Sequence, residues 1–406
     1  MARPKKNAVA EADDIFSSLS SEIGGEILGN LDVAKYFIDT GNLAINYSCS
    51  GRFINGGIPS GRLTEIYGPS ASSKSLIGAN ILYGCQKLGG VPILLDTENA
   101  VNPEFMSRVS HVDIKKIVRF TPETLEDCFM KIYKAIEHIR KNDQYKNKPI
   151  VIVYDSISVS PSAREFREIN LPEKYTKSQF KEIVGANEQP GERAKICSKE
   201  FRKLNTILEE SDASLIVMNQ TREKIGMTYG YGPNEAKAGG GTALTYYASL
   251  ILRTQSQKKL ELKLSGNRKK FIGVNLKVSN KKNRAYRPHV EVDNIPLYFD
   301  QGINPVGGLL GALLDSDRIV ATGAGNFLVN KAFSNGEEYK FKSSNERNDV
   351  PLEVLLDCPA IIDAESKEEV QAYLDPFMPC IQNTKDEDLD ITDVSEEEDG
   401  IEDIEG

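Results

Sequence analysis

Short apolar runs recur along this chain, and several stop abruptly at a carboxylate or an amide. Pro149-Ile150-Val151-Ile152-Val153-Tyr154-Asp155-Ser156 is the clearest, a set of β-formers that ends in Asp. Val91 to Asp96 and Leu215 to Met218 have the same character, and the second leads into Asn219-Gln220-Thr221-Arg222. Apolar runs bounded by turn signals predict buried strands. Arg62 to Tyr67 alternates instead, which predicts another strand. Helical patterns lie between them. Leu125, Cys128, Phe129, Ile132, Tyr133 and Ile136 recur at three- and four-residue spacing over Thr124 to Arg140. Leu76 to Tyr83 and Ala194 to Leu208 also read as helices, the latter with a basic face of Arg193, Lys195, Lys199, Arg202 and Lys203. Strands that alternate with helices predict an α/β protein with a mostly parallel twisted sheet.

The remaining stretches punctuate this pattern. Residues 1–25 are polar and show little periodicity. Leu31 to Phe37 reads as a short strand or helix. Ser160 to Pro190 is a charged excursion without a period, and Lys224 to Gly241 is Gly-rich and too long for a tight turn. Tyr246 to Arg253 reads as a helix-to-strand passage. Two basic strands follow, Lys258 to Leu264 and Phe271 to Val278, and Lys281-Lys282-Asn283-Arg284 closes the second. Residues 306–380 form a small unit with helical patterns at Val306 to Leu314, Pro351 to Leu356 and Glu368 to Leu374. From Asp386 onward the composition is acidic and of low complexity, which predicts disorder.

Charge changes the picture. The net charge is −9, but residues 386–406 hold twelve acidic side chains and no Lys or Arg, so residues 1–385 carry +3. A mildly basic body with an acidic tail points to nucleic acid and to a tail that competes for the same surface, or to a tail that only solubilises. No apolar run reaches the ~18 residues of a membrane span. The basic start, Met1 to Lys6, is not followed by the apolar stretch of a secretory leader. The six cysteines are scattered without a C-x-x-C pair, as expected of free thiols in a reducing compartment. The expected location is cytoplasmic.

The candidate chemistry starts at Gly68-Pro69-Ser70-Ala71-Ser72-Ser73-Lys74-Ser75, set between a predicted strand and a predicted helix. That is the context of a phosphate-binding loop. Amides at a helix N-terminus point at an anion and the helix dipole favours it. Lys74 is placed to reach the β- and γ-phosphates, and the Ser75 hydroxyl to bind Mg²⁺. Ser73 stands where Gly is usual for its backbone freedom. A Ser-rich turn with a chance Lys-Ser is the plain alternative. Glu98, just past the strand that ends at Asp96, is a candidate to polarise an attacking water or else a surface cap. Asp155 closes an apolar strand in the manner of a metal-supporting carboxylate. Gln220 is an amide at a strand end, a nucleotide sensor or a turn cap.

These residues in this order resemble the RecA-type DNA strand-exchange recombinases, in particular the phage recombinases of the UvsX kind. Gly56-Gly57-Ile58-Pro59-Ser60-Gly61-Arg62 with Glu65-Ile66-Tyr67-Gly68-Pro69 is similar to the family's approach to its phosphate loop. Asp96-Thr97-Glu98-Asn99-Ala100-Val101-Asn102-Pro103 resembles its catalytic segment. Asn219 to Gly226 resembles its switch and the start of its second DNA loop, Gly239 to Leu244 the end of that loop, and Gly302-Ile303-Asn304-Pro305 the close of the core.

The resemblance implies a RecA-type ATPase core over residues 38–305. It also implies an N-terminal oligomerisation segment over 1–37, a small α+β unit over 306–380 and a tail over 381–406. Glu98 activates water in this reading, Lys74 and Ser75 hold phosphate and Mg²⁺, Asp155 supports the metal, and Gln220 couples the γ-phosphate to DNA. Phe105 stacks on adenine and Asn102 contacts the base. Lys281 or Lys282 reaches the ATP of a neighbouring subunit. Arg193, Arg202, Arg222, Lys224, Ile225, Gly240 and Gly241 contact DNA. The implied cofactors are ATP and Mg²⁺. The implied partners are single-stranded DNA, homologous duplex, further copies in a helical filament, and single-strand-binding and mediator proteins. An accessory ATPase, a ring helicase and a single-strand coat with little hydrolysis are the alternatives.

Overall fold

The computed structural model describes residues 17–24, 34–169, 191–223, 235–237, 241–264, 268–323, 325–343, 349–383 and 389–393. Contacts divide the chain between Lys35 and Tyr36. In the first unit residues 17–23 form a short helix, α1, with Leu19 and Ile23 exposed. It is too short for a period to stand out in sequence.

The second unit is built on one large sheet. Its early elements are β1 (Phe37–Ile38), α2 (Leu43–Ser50), β2 (Ile58–Pro59), β3 (Leu63–Gly68), α3 (Lys74–Lys87), β4 (Val91–Asp96), α4 (Pro103–Ser110) and β5 (Val118–Phe120). Then follow α5 (Leu125–Lys141), β6 (Ile150–Asp155), α6 (Ala163–Ile169), α7 (Glu192–Glu210), β7 (Ala213–Glu223), β8 (Glu235–Lys237), α8 (Gly241–Tyr247) and β9 (Leu250–Leu264). The sheet is completed by β10 (Arg268–Asn283), β11 (Glu291–Tyr298) and β12 (Gly302–Ile303). The strand order is β12-β11-β10-β9-β3-β7-β6-β4-β5, with β8 beside β7. From β9 to β5 every neighbouring pair is parallel. The β9–β10–β11–β12 flank is antiparallel.

The apolar runs are continuous because the central strands are covered on both faces. Val151, Val153, Ile216 and Met218 join Ile77, Ile81 and Leu82 of α3 in one cluster. Ile150, Ile152, Tyr154, Leu215 and Val217 join Leu125, Phe129, Ile132 and Ile136 of α5 and Phe201, Leu204 and Leu208 of α7 in another. The α3 side is tightly fitted, since a Cβ on Gly78 would lie 2.7 Å from Met218 Cε. Parallel strands place their carboxyl ends along one edge of the sheet, where ligands of open α/β folds bind. The phosphate loop follows β3, Glu98 lies just past β4, Asp155 ends β6 and Gln220 lies toward the end of β7.

Residues beyond the sheet add a helix, Leu309–Asp315, a three-stranded antiparallel sheet of β13 (Ile319–Gly323), β14 (Asn326–Val329) and β15 (Tyr339–Lys342), and helices Leu352–Asp357, Lys367–Leu374 and Met378–Asn383. Leu310, Val329, Leu355, Val370 and Leu374 belong to the same apolar cluster as Leu43, Phe53 and Ile77.

Several elements differ from the sequence expectation. The basic strands are longer than the apolar pattern marks. Their pairing slips in register at three places, which accommodates unpaired residues in a long, twisted ribbon. Gly241, expected in a flexible loop, is the first residue of α8. In the acidic stretch expected to be disordered, Leu389–Asp393 forms a strand, β16, antiparallel to β9. Asp393 stands opposite Lys258 and Thr392 opposite Lys259. The part of β9 beyond Arg253 is no longer paired with β3, so its edge accepts this strand. Most of the 160–190 excursion and most of 224–241 lie outside the described residues.

Candidate active site

The phosphate loop is fixed by its neighbours before any ligand enters. A Cβ on Gly68 would fall 2.2 Å from the Thr254 carbonyl oxygen, so β9 leaves room only for Gly there. The Ser72 hydroxyl donates to the Pro69 carbonyl at 2.8 Å and lies 2.9 Å from Thr254 Oγ1. The Ser256 hydroxyl donates to the Ala71 carbonyl at 3.2 Å. Ala71 and Ser73 both occupy the left-handed region, with φ of 57° and 60°. Ser73 is the N-terminal flanking residue of α3 and makes no side-chain cap. The unusual residue in the motif therefore sits in the one backbone region where Gly costs least.

Lys74 folds back into the loop. Its ammonium donates to the carbonyls of Gly68 at 3.1 Å and Pro69 at 2.6 Å and to Ser72 Oγ at 3.3 Å. Burial pushes it below the ordinary Lys value, against the opposing pull of Asp155 and Glu98. Burial also lifts the Asp155 carboxyl above its usual range, and the hydrogen bond from Ser75 acts the other way. The charges of Glu98 and Asp96 add to the rise. A hydroxyl bonded to a carboxylate is a hard oxygen donor pair, the chemistry that Mg²⁺ selects.

Glu98 is held from two strands. Its Oε1 accepts from the Ser156 hydroxyl at 2.9 Å and from the Gln220 side-chain amide at 3.2 Å. Thr97 orders the approach, since its hydroxyl accepts from the Ser156 amide at 2.9 Å and lies within bonding reach of the Asp155 and Ser156 carbonyls. Ser158 fixes the other strand: its hydroxyl accepts from the Gln220 amide at 2.9 Å and donates to Asn219 Oδ1 at 3.2 Å. Behind it, fully buried Glu65 of β3 accepts from Asn219 at 3.0 Å and from Thr245 of α8 at 3.3 Å. β7, which carries Gln220, is thus linked to β3 and α8.

A cavity of ≈ 180 Å³ lies beside Ser75, Glu98 and Asp155 and runs under α4 past Leu76, Asn102 and Phe105. Asn102 caps α4, with Oδ1 accepting the Phe105 amide at 3.1 Å. Phe105 is 43 % exposed, and the Arg108 guanidinium lies 5.6 Å from its ring centre.

The other expected contacts divide. The Arg193 guanidinium is turned inward and donates to the Ile157 and Ser158 carbonyls at 2.8 and 3.2 Å. Arg202 is exposed and bonds Tyr247 at 3.4 Å. Lys282 donates to the Thr245 and Tyr246 carbonyls at 2.9 and 2.8 Å, at the end of α8. Lys281 lies 3.6 Å from Glu291. The Arg222 side chain, Lys224, Ile225 and Gly240 lie outside the described residues. Thr97 and Glu65 lie inside motifs that carry the resemblance but have no role of their own in it, and nothing in the sequence singles out Ser156 and Ser158. Only the Asp-Ser-Ile-Ser end of the strand hints that hydroxyls crowd the site.

Among the described residues no helix is long and apolar enough to cross a membrane. Comparison with known proteins gives a consistent answer. The family described as RecA N-terminal domain matches residues 16–167 and 175–304, more than half of the chain. Protein RecA of Thermus thermophilus is 27 % identical over 365 residues, covering 87 % of this chain and 94 % of the relative. Protein RecA of Ureaplasma parvum serovar 3 is 28 % identical over 351 residues, covering 86 % and 93 %. Protein RecA of Thermus aquaticus is 25 % identical over 377 residues, covering 90 % and 99 %. With a phosphate loop, Glu98, Asp155 and Gln220 along one edge of the parallel half of the sheet, and a family match across that sheet, this chain belongs to the RecA family of DNA-dependent ATPases of recombination and repair.

Proposed function

We propose that this chain assembles as an ATP-dependent filament on single-stranded DNA and pairs it with homologous duplex. The observation that carries the proposal is the double hold on Glu98. The carboxylate suited to hydrolysis is bonded to Gln220, whose strand runs on toward the Gly-rich segment expected to meet DNA.

In this reading Lys74 leaves the Gly68 and Pro69 carbonyls for the β- and γ-phosphates of ATP. Ser75 and Asp155 hold Mg²⁺, which when bound neutralises charge on the phosphate oxygens. Glu98 orients a water and takes its proton as the water oxygen attacks the γ-phosphorus and the bond to the β-bridging oxygen breaks. Gln220 gives one of its two side-chain N–H donors to Glu98, and a γ-phosphate that draws the amide toward itself is felt along β7. Phe105, Asn102 and the adjoining cavity receive the base. Arg202, Arg222, Lys224, Ile225, Gly240 and Gly241 line the DNA path, and Arg193 shapes it from behind. Lys281, whose ammonium is not tied to α8, reaches the neighbouring subunit's nucleotide while Lys282 caps α8.

Nucleotide binding and single-turnover hydrolysis with DNA test these assignments. Lys74→Ala loses ATP binding, whereas Glu98→Gln binds ATP and DNA and does not hydrolyse. A Glu98→Gln protein that hydrolyses ATP at the wild-type rate contradicts the assignment.

A further inference from the structure

Arg119 lies on β5, the outer strand of the parallel half of the sheet, and none of the sequence motifs includes it. Its guanidinium donates from Nε at 3.0 Å and from Nη2 at 2.7 Å to one oxygen, Oδ2 of Asp96. The same Nη2 lies 3.3 Å from Asn99 Oδ1. Asp96 is the last residue of β4 and only 2 % exposed, and its Cα pairs in register with that of Asp155. Asn99 is in the left-handed region, with φ of 53°. Arg119 therefore grips the turn on both sides of Glu98, just before it and just after it.

This grip does more than join two strands. A nearly buried carboxylate is costly unless paired and hydrogen-bonded, and Arg119 supplies both from a rigid fork. Without it, Asp96 stands as a buried carboxylate with no cation of its own among the described residues, beside Asp155 and Glu98. Geometry adds to this. The turn 97–99 has its own hydrogen bonds to β6, but its far end is anchored to β5 through Asn99 and Arg119. A small displacement of a catalytic group is expensive in rate, about a hundredfold for 1 Å in the worst cases.

We propose that Arg119 is a positioning residue for hydrolysis, which fixes the turn that carries Glu98 by holding Asp96 and Asn99. This rests on the assignment of Glu98 as the residue that activates water. Arg119 takes no part in the hydrogen bonds that hold the phosphate loop, so it acts on the chemical step and not on nucleotide capture.

The test compares wild type, Arg119→Ala, Arg119→Lys and Glu98→Gln in the full chain with saturating single-stranded DNA. It reads kcat, KM, the affinity for a fluorescent ATP analogue and the thermal midpoint. In Arg119→Ala, kcat falls about 10- to 100-fold, while KM and analogue affinity stay within about twofold. Arg119→Lys keeps the charge but not the fork, so its kcat lies between the two. An Arg119→Ala kcat within about twofold of wild type overturns the proposal. So does a parallel loss of kcat, affinity and thermal midpoint, which marks a plain structural ion pair. If Arg119→Ala does not fold, Arg119→Lys decides: an undiminished kcat overturns the proposal, and a lowered kcat with unchanged affinity supports it. Hydrolysis by Glu98→Gln refutes the underlying assignment, whereas an inactive Glu98→Gln beside a fully active Arg119→Ala refutes the role of Arg119 alone.

Discussion

The side-chain amide of Gln220 donates to the carboxylate of Glu98 at 3.2 Å, joining residues 122 positions apart in the chain. One lies at the end of β4 and the other within β7, and β6 runs between their strands. In the proposed mechanism that single bond gives the Gly-rich segment expected to meet DNA a handle on the residue assigned to hydrolysis.

Gln220→Ala removes the handle but leaves the Ser156 bond to Glu98 in place. Hydrolysis without DNA should persist within a few-fold of wild type, and stimulation by single-stranded DNA should drop at least about tenfold, the scale of one charge-assisted hydrogen bond. Steady-state rates with and without DNA measure both. Stimulation equal to wild type excludes coupling through Gln220.

Ser73 has φ of 60°, which an L side chain reaches only at a cost of about 1–2 kcal/mol. Ser73→Gly removes that strain and adds entropy to the unfolded chain, costs of opposite sign and similar size. The expected outcome is a stability change of at most about 1 kcal/mol in favour of the variant, with ATP binding retained. Denaturant unfolding and nucleotide titration check it, and a clear loss of stability would mean that the Ser73 hydroxyl makes an essential contact.

The parts legible in sequence were those with a single physical cause. Strands covered on both faces are continuous apolar runs, and α5 and α7 have one buried face, so β4, β6, β7, α5 and α7 stood out. Helix α2 did not, because Leu43 to Cys49 are all buried and a helix without a polar face has no period. Its signals were local: Asn42, whose side chain accepts from the Ile45 amide, and Gly51 in the left-handed region at its end. Likewise Asn102-Pro103 marks the start of α4. The candidate residues Glu98, Asp155 and Gln220 were readable because they lie at or near strand ends. Ser156 and Arg119 were not, because the sheet order that brings them to Glu98 and Asp96 is a tertiary fact. In the tail, the alternation Leu389-Asp390-Ile391-Thr392-Asp393 was hidden within an acidic composition.

All six cysteines are free and buried. Burial pushes the thiols of Cys49, Cys85, Cys197 and Cys380 up to about 12 and that of Cys128 to about 11. The folded protein should react slowly with a thiol reagent at pH 8, and denaturant should release six equivalents. The sign for stability follows. An unfolded thiol loses its proton near pH 9, whereas the folded one keeps it to about pH 12. Their contribution is complete below about pH 9 and is lost as pH rises through that window. Rapid labelling of the native protein contradicts the burial.

Strand β16 lays the acidic tail along Lys258 to Leu262 of β9, with Asp393 opposite Lys258 and Asp390 opposite Glu261. Deleting residues 386–406 removes it and twelve negative charges. Affinity for single-stranded DNA should rise, most at low salt, because phosphate binding is electrostatic. Fluorescence anisotropy at two salt concentrations measures this, and an unchanged affinity rules out competition by the tail.

In the proposed function, ATP turnover at this site drives pairing of DNA strands. Strand exchange between circular single-stranded DNA and homologous linear duplex, with ATP and Mg²⁺ and followed by gel electrophoresis, tests it most directly. The account predicts joint molecules and nicked-circle products with the wild-type chain and none with Lys74→Ala. DNA-stimulated ATP hydrolysis by the wild type without any joint molecules would contradict it.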